Sequence, residues 1–339
     1  AARIAGRHQG LIRPMLAPDR VETSTLALLQ RTMSASAEMG LPVRLHMAQG
    51  RMERRTVETL HGTTAPQWLA RHGLLNDRLI APHAVEAEPA DLALYAEHGV
   101  TIAHCPLVFA RDGGLLRSFR KCRDLGIRVG MGTDTAPPDM VLNMAVGLIA
   151  GRIAEGGAEG IATSEIFDAA TIGGADALAR PDLGRLQPGS KADIAIFDLA
   201  DPRFAPTVDP IQSLIFGATG RVTRAVFVDG RLSMRDGAVA GFDLGAARRR
   251  AGAVRRAARK ISRANLRAPP AGGHVSPHLP AASHPLTPAR GLPGGHPIWS
   301  AMSSDRSGPT TTAKPSGGRN GRMVPAERIE LPTFGLQNR

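Results

Sequence analysis

Residues 100–106 read Val100-Thr101-Ile102-Ala103-His104-Cys105-Pro106, a run of β-branched and small apolar side chains that stops at a histidine and meets a proline. Three other stretches share this plan: Val43-Arg44-Leu45-His46, Leu79-Ile80-Ala81-Pro82-His83 and Val129-Gly130-Met131-Gly132-Thr133-Asp134. Each predicts a short strand whose C-terminal end carries a group able to bind a metal or move a proton. Between them, residues 23–39, 66–72, 89–98 and 115–125 read as helices, each followed by glycine. Residues 11–16 predict one earlier strand and 164–179 a closing helix. Strands alternating with helices imply an α/β fold with a parallel sheet, and active sites in such sheets are built at the C-terminal ends of the strands.

Beyond residue 185 the pattern changes. Ala192-Asp193-Ile194-Ala195-Ile196-Phe197 and residues 222–228 alternate as strands, and Asp229-Gly230 before residues 231–234 signals a hairpin. Residues 186–245 therefore predict a small β portion. Residues 246–266 predict a basic amphipathic helix. Its Ala247, Ala251, Val254, Ala258 and Ile261 form an apolar stripe, expected to dock on the domain with the arginines turned to water. Residues 268–339 hold 12 of the 26 prolines and few apolar clusters. A tail over 267–339 is expected to be disordered, and its last residues to be read-through sequence.

The 339 residues carry 42 Lys plus Arg against 30 Asp plus Glu, a formal charge of +12 that would suit a polyanionic partner. The surplus is local, because residues 1–245 hold 26 basic and 27 acidic side chains while residues 246–265 hold 8 basic and no acidic ones. That helix lacks aromatic side chains for base stacking, so nucleic-acid binding through 246–265 and the tail stands as the alternative reading. No apolar run reaches the length of a membrane-spanning helix, and no membrane partner is expected. Cys105 and Cys122 form no Cys-x-x-Cys pair, which fits a reducing, cytoplasmic setting. Cys105 reads as an inert buried thiol, and Gly130-x-Gly132 lacks the third glycine of a dinucleotide fingerprint.

Taken in order, Leu45-His46-Met47-Ala48-Gln49, Ala81-Pro82-His83-Ala84, Ile102-Ala103-His104-Cys105-Pro106, Gly130-Met131-Gly132-Thr133-Asp134-Thr135, residues 169–178 and residues 184–193 resemble the amidohydrolase superfamily. The resemblance is to the branch of cytosine-deaminase-like enzymes, S-adenosylhomocysteine deaminases and triazine chlorohydrolases. It implies a (β/α)8 barrel of the TIM type holding one divalent metal, zinc or iron, beside a β-sandwich made from both chain ends. It also implies roles: His46 as a metal ligand, Asp134 as metal ligand and proton acceptor, His83 as the catalytic contact to water or substrate. Gln49 and His104 are implied at the substrate. The implied reaction is hydrolytic displacement of ammonia, an amine or a halide from a small heterocycle.

Two departures shape the expectation. Gln49 stands where many such deaminases carry glutamate, and an amide cannot carry a proton at neutral pH. No His-x-His pair, the family's other two metal ligands, occurs anywhere in the chain. If His46 ends the fifth barrel strand, only residues 11–16 precede it as the fourth. Residues 1–185 are then expected to form a partial barrel of about strands 4–8, a C-terminal fragment of such an enzyme. Two ligands, His46 and Asp134, leave a tetrahedral site half built, so metal binding is expected to be weak or absent and turnover absent. A homo-oligomer or a complementing N-terminal fragment could pair with the exposed sheet edge.

Overall fold

A computed structural model describes residues 8–116 and 119–267, without the side chains of residues 203 and 261–267. The expected tail, residues 267–339, lies outside the described residues but for the backbone of Arg267. Five strands, β1 Leu16–Arg20, β2 Val43–His46, β3 Leu79–Pro82, β4 Thr101–His104 and β5 Val129–Met131, run parallel in chain order. The register sets Arg20 beside His46 and His104 beside Met131, so the chemistry-bearing ends lie at one edge of the sheet. The first strand lies later than the 11–16 expected from sequence. Pro18 disguises it, and a proline is tolerated there because β1 is an edge strand.

Helix α1, Leu26–Met39, joins β1 to β2; α2, Arg51–His61, and α3, Ala65–Arg71, lead to β3; α4, Pro89–Glu97, leads to β4. Then α5, Pro106–Ala110, and α6, Phe119–Asp124, precede β5, and α7, Met140–Glu155, α8, Thr163–Asp168, and α9, Gly174–Ala177, follow it. Local chemistry explains the boundaries. The Thr25 hydroxyl accepts the Leu28 N–H at 3.2 Å to start α1, and Gly40 ends it at φ 61°. Helix α7 gives little amphipathic signal, because Val141, Met144, Gly147, Leu148 and Gly151 form one buried face while the opposite face carries the exposed apolar Ile149 and Ile153.

Residues 164–179 form the helix expected, running from Thr163 to Ala177 with a π bulge over Ala169–Gly173 where the chain crosses β5. The backbone stays right-handed at Asp168, Ala169, Gly173 and Gly174, so α8 and α9 are continuous. A side chain at Gly173 would collide with the Val129 carbonyl oxygen, so the close approach requires glycine. Leu45, Met47, Leu79, Ile102, Leu148, Ile161 and Ile166 are fully buried between sheet and helices.

A second sheet holds β6 Ile194–Phe197, β7 Thr223–Val228, β8 Arg231–Arg235 and β9 Ala238–Val239, all antiparallel, with Asp229-Gly230 at the β7–β8 turn. Helix α10, Pro210–Gly217, packs on α7 and α8. Asp139 fastens this region to the first sheet: its carboxylate caps α7 through the Leu142 N–H at 3.0 Å and accepts the Gly220 N–H at 2.9 Å. The chain from Pro137 to Asp139 is thus a structural joint as well as a connection. Helix α11, Leu244–Arg267, carries the basic run. Its apolar stripe does not dock among the described residues, since Ala251 and Ala258 are exposed and Val254 is 69 % exposed. The stripe is mostly alanine, which offers too little apolar area to hold a charged helix down.

Gly173→Ala should lower the unfolding free energy by about 1–3 kcal/mol through backbone collision. The neighbouring Gly174→Ala, whose Cβ meets nothing within 4 Å, should be neutral or stabilising in the same urea titration.

Candidate active site

The chemistry gathers in a basin of about 230 Å³ lined by Arg20, His46, Gln49, His83, Val108, Phe109, Asp112 and Asp134. A larger hollow of about 390 Å³, lined by Ile80, Ile102, Ala103, Met131 and Leu178 among others, contains no ionisable side chain. The smaller basin is the one in which histidine and aspartate side chains from several strand ends meet.

His46 ends β2. Its Nδ1 lies 2.7 Å from the Asp19 main-chain oxygen, so Nδ1–H donates there and Nε2 keeps a free lone pair. His83 follows β3 with left-handed backbone, φ 74°, and its N–H donates to the Ala103 carbonyl at 2.9 Å. The His83 Nε2 faces Asp134 Oδ2 at 3.8 Å, its ring lies 5.4 Å from that of His46, and Phe109 covers it at 4.5 Å. The His83 side chain is 4 % exposed, and burial pushes its pKa down to about 4, partly opposed by Asp134. It is a neutral imidazole at neutral pH. Asp134 follows β5 at φ 54°, and Arg111 grips the loop after it by donating to the Ala136 carbonyl at 3.0 Å and the Thr135 hydroxyl at 3.2 Å.

Four of the residues singled out in the sequence, His46, Gln49, His83 and Asp134, thus meet in one basin. His104 does not join the lining. It is buried toward α7 and α6, with Nε2 3.5 Å from the position a Gly147 Cβ would take and its ring 6.3 Å from Phe119. Burial also lowers its pKa to about 4. The Cys105 thiol is pushed up to about 12 by burial, which leaves it protonated and unreactive. Arg20, Phe109 and Asp112 escaped the sequence reading. Arg20 shares the strand-end placement of His46, a signal hidden by the misplacement of the first strand.

Whether these groups suit a divalent metal follows from their placement. Among the described residues no three His, Cys, Asp or Glu side chains converge to hold an ion. A zinc site needs at least three protein ligands, so the donors as placed do not complete one.

Residues 1–233 match the model of the Amidohydrolase family. The 5-methylthioadenosine/S-adenosylhomocysteine deaminase of Nitratidesulfovibrio vulgaris strain DP4 is 32% identical over 242 residues, 70% of this chain and 55% of that protein. The enzyme of the same name from Pyrococcus horikoshii is 32% identical over 237 residues, 69% of this chain and 56% of its own. The chain spans about half the length of the curated relatives it matches. Among solved structures, an adenosine deaminase from Xanthomonas campestris with bound zinc superposes with a TM-score of 0.71 at 26% identity, over 75% of this chain and 59% of that one. The zinc complex of atrazine chlorohydrolase TrzN from Arthrobacter aurescens TC1 gives 0.64 at 28% identity, over 70% and 53%.

The buried histidines set a pH dependence. With folded pKa values of about 4 against 6.5, these two groups bind more protons in the unfolded chain between those limits and so lower stability as pH drops from 6.5 to 4, while Glu53, raised by burial from 4.5 to about 7, acts in the opposite sense between 4.5 and 7. Each histidine should contribute on the order of 1 kcal/mol per pH unit. Urea unfolding of His104→Asn should show a slope of stability against pH that is lower than in native protein by one histidine's share in that window, on the order of 1 kcal/mol per pH unit.

Proposed function

The chain belongs to the amidohydrolase family, and on that premise we propose that its basin carries part of a site for hydrolytic displacement of an amino group or halide from a small heterocycle, of the deaminase or chlorohydrolase type, with no turnover by this chain alone. One observation carries this reading: Asp134 and a neutral His83 face each other at 3.8 Å in a basin that also holds His46 and Gln49. The Asp134 carboxylate accepts the proton of the attacking water and returns it to the leaving group. His83, kept neutral by burial, holds a hydrogen bond to the water or the ring without competing for that proton. Gln49 orients the ring by hydrogen bonding and leaves proton traffic to Asp134. The Phe109 ring offers an aromatic face for a planar ligand. The near balance of charge over residues 1–245 suits a small neutral substrate.

The finer organisation belongs to the same proposal. Strands β1 to β5 take the place of strands 4–8 of a (β/α)8 barrel over residues 1–185, and β6 to β9 the place of a composite sandwich portion over 186–245. Strand β1, an edge strand, is open to a second copy or a complementing segment. Two free, buried cysteines suit a cytoplasmic setting, and no helix among the described residues is long and apolar enough to cross a membrane. The incomplete donor set implies weak zinc or iron binding and no turnover by this chain alone.

Two measurements test the reading. Calorimetry should detect adenosine binding to the chain, weakened about tenfold or more by Phe109→Ala or Gln49→Ala, equivalent to about 1.4 kcal/mol; binding untouched by either variant would remove the basin from consideration. After incubation with zinc and dialysis, elemental analysis should find well under one metal per chain and no release of ammonia from 5-methylthioadenosine. Stoichiometric metal with turnover that disappears in Asp134→Ala would overturn the expectation of inactivity.

A further inference from the structure

We propose that Glu53 is a positioning residue for Gln49: its carboxyl group, buried beneath the turn between β2 and α2, grips the backbone of that turn and so aims the Gln49 side chain into the basin. This rests on the reading of Gln49 as the group that orients the ring. The turn is under tension on both sides. Ala48 adopts φ 51°, a left-handed conformation unfavourable for alanine, and its carbonyl accepts the Glu86 N–H at 2.9 Å. One residue on, the Gln49 N–H donates to Glu53 Oε2 at 3.1 Å. Glu53 is the third residue of α2, where a carboxylate ordinarily caps the helix from solvent. Here it is 4 % exposed.

Burial makes this more than a helix cap. Glu53 Oε1 has no hydrogen-bond partner, and neither has the buried Oε2 of Glu22 on the chain leaving β1. A buried oxygen without a donor is costly, so the position is not explained by stability alone. Among the described residues, no cation is one of the main influences on Glu53. Glu22, itself 3.9 Å from Arg20, repels its charge; Tyr95 on α4 feels the charges of both Glu53 and Asp91; and Arg54 is turned to Glu58 at 2.8 Å and Glu88 at 2.5 Å. Desolvation and Glu22 push Glu53 up to about 7, while the N–H groups of Ala48, Gln49 and Gly50 oppose the rise. Near neutrality the ionised carboxylate holds the turn's donors firmly; with a proton it becomes a poorer acceptor and the grip weakens.

The Gln49 backbone amide reports this contact without any need for turnover. In native protein its proton resonance should move as pH is varied between about 5 and about 9, with a midpoint near the Glu53 pKa of about 7. Glu53→Gln, which keeps shape and an acceptor but loses the charge, should abolish the movement, and Glu22→Gln should shift the midpoint to lower pH by removing the like charge. Adenosine affinity should weaken below neutrality in native protein and lose that pH step in Glu53→Gln. A Gln49 amide that stays still across the range, or moves unchanged in Glu53→Gln, would overturn the proposal. Failure of native protein to bind adenosine would count against the basin's function alone, while the amide titration still decides whether Glu53 holds the turn.

Discussion

The basin depends on a parallel hydrogen-bonded ladder that holds ordinary residues in left-handed backbone at the ends of its strands. Asp19 (φ 77°), Ala48 (51°), His83 (74°), Ala84 (51°) and Asp134 (54°) all lie just past or within the last residues of β1, β2, β3 and β5. Each conformation costs on the order of 1–3 kcal/mol and survives only where its surroundings over-determine it. The ladder does so by continuing past the strands. Val21 N–H donates to the His46 carbonyl at 3.3 Å, Met47 bridges to His83, and Gly132 N–H donates to the His104 carbonyl at 2.9 Å. The reversals at His83 and Asp134 bring these two side chains to the volume that Arg20 and His46 reach from the strands themselves.

Burial then sets the proton state of what is gathered. The Asp19 carbonyl orients His46 so that Nε2 is available, and the apolar surround together with Phe109 keeps His83 neutral. Asp134, one-third exposed, remains in contact with solvent and with His83. The loop carrying it is anchored at both ends, by Arg111 at Thr135 and Ala136 and by Asp139 at α7 and Gly220. A carboxylate on a tethered loop beside a neutral imidazole is held in place by its surroundings, so neither group must reorganise to meet a ligand in the basin.

Much of this was legible in the residues. The four runs ending in His46, His83, His104 and Asp134 identified four strands of the parallel sheet, and Asp229-Gly230 identified the hairpin between β7 and β8. The first strand was placed too early because Pro18 interrupts its pattern, and with it Arg20 was missed. Helix α7 gave little signal because its exposed face carries apolar Ile149 and Ile153 as well as its buried one. The helix expected over 164–179 is present, but its π bulge beside Val129 is encoded by no local pattern. His104 shows the limit most clearly: its motif equals that of the other strand ends, yet its ring packs toward α7 and α6 and not into the basin.

By itself the sequence determined the class of fold, the family, and which strand ends carry ionisable groups. Those properties follow from local periodicity and residue chemistry, which are written along the chain. Only the tertiary structure decided which of those groups share a volume, which face into the helix layer, and which are buried enough to lose their charge. Side-chain direction at a strand end depends on whether the backbone turns left-handed there, and desolvation depends on neighbours far away in sequence. For the same reason Glu53, unremarkable as one carboxylate in a charged helix, emerges beneath Gln49 only when Glu22 and Tyr95 are folded against it.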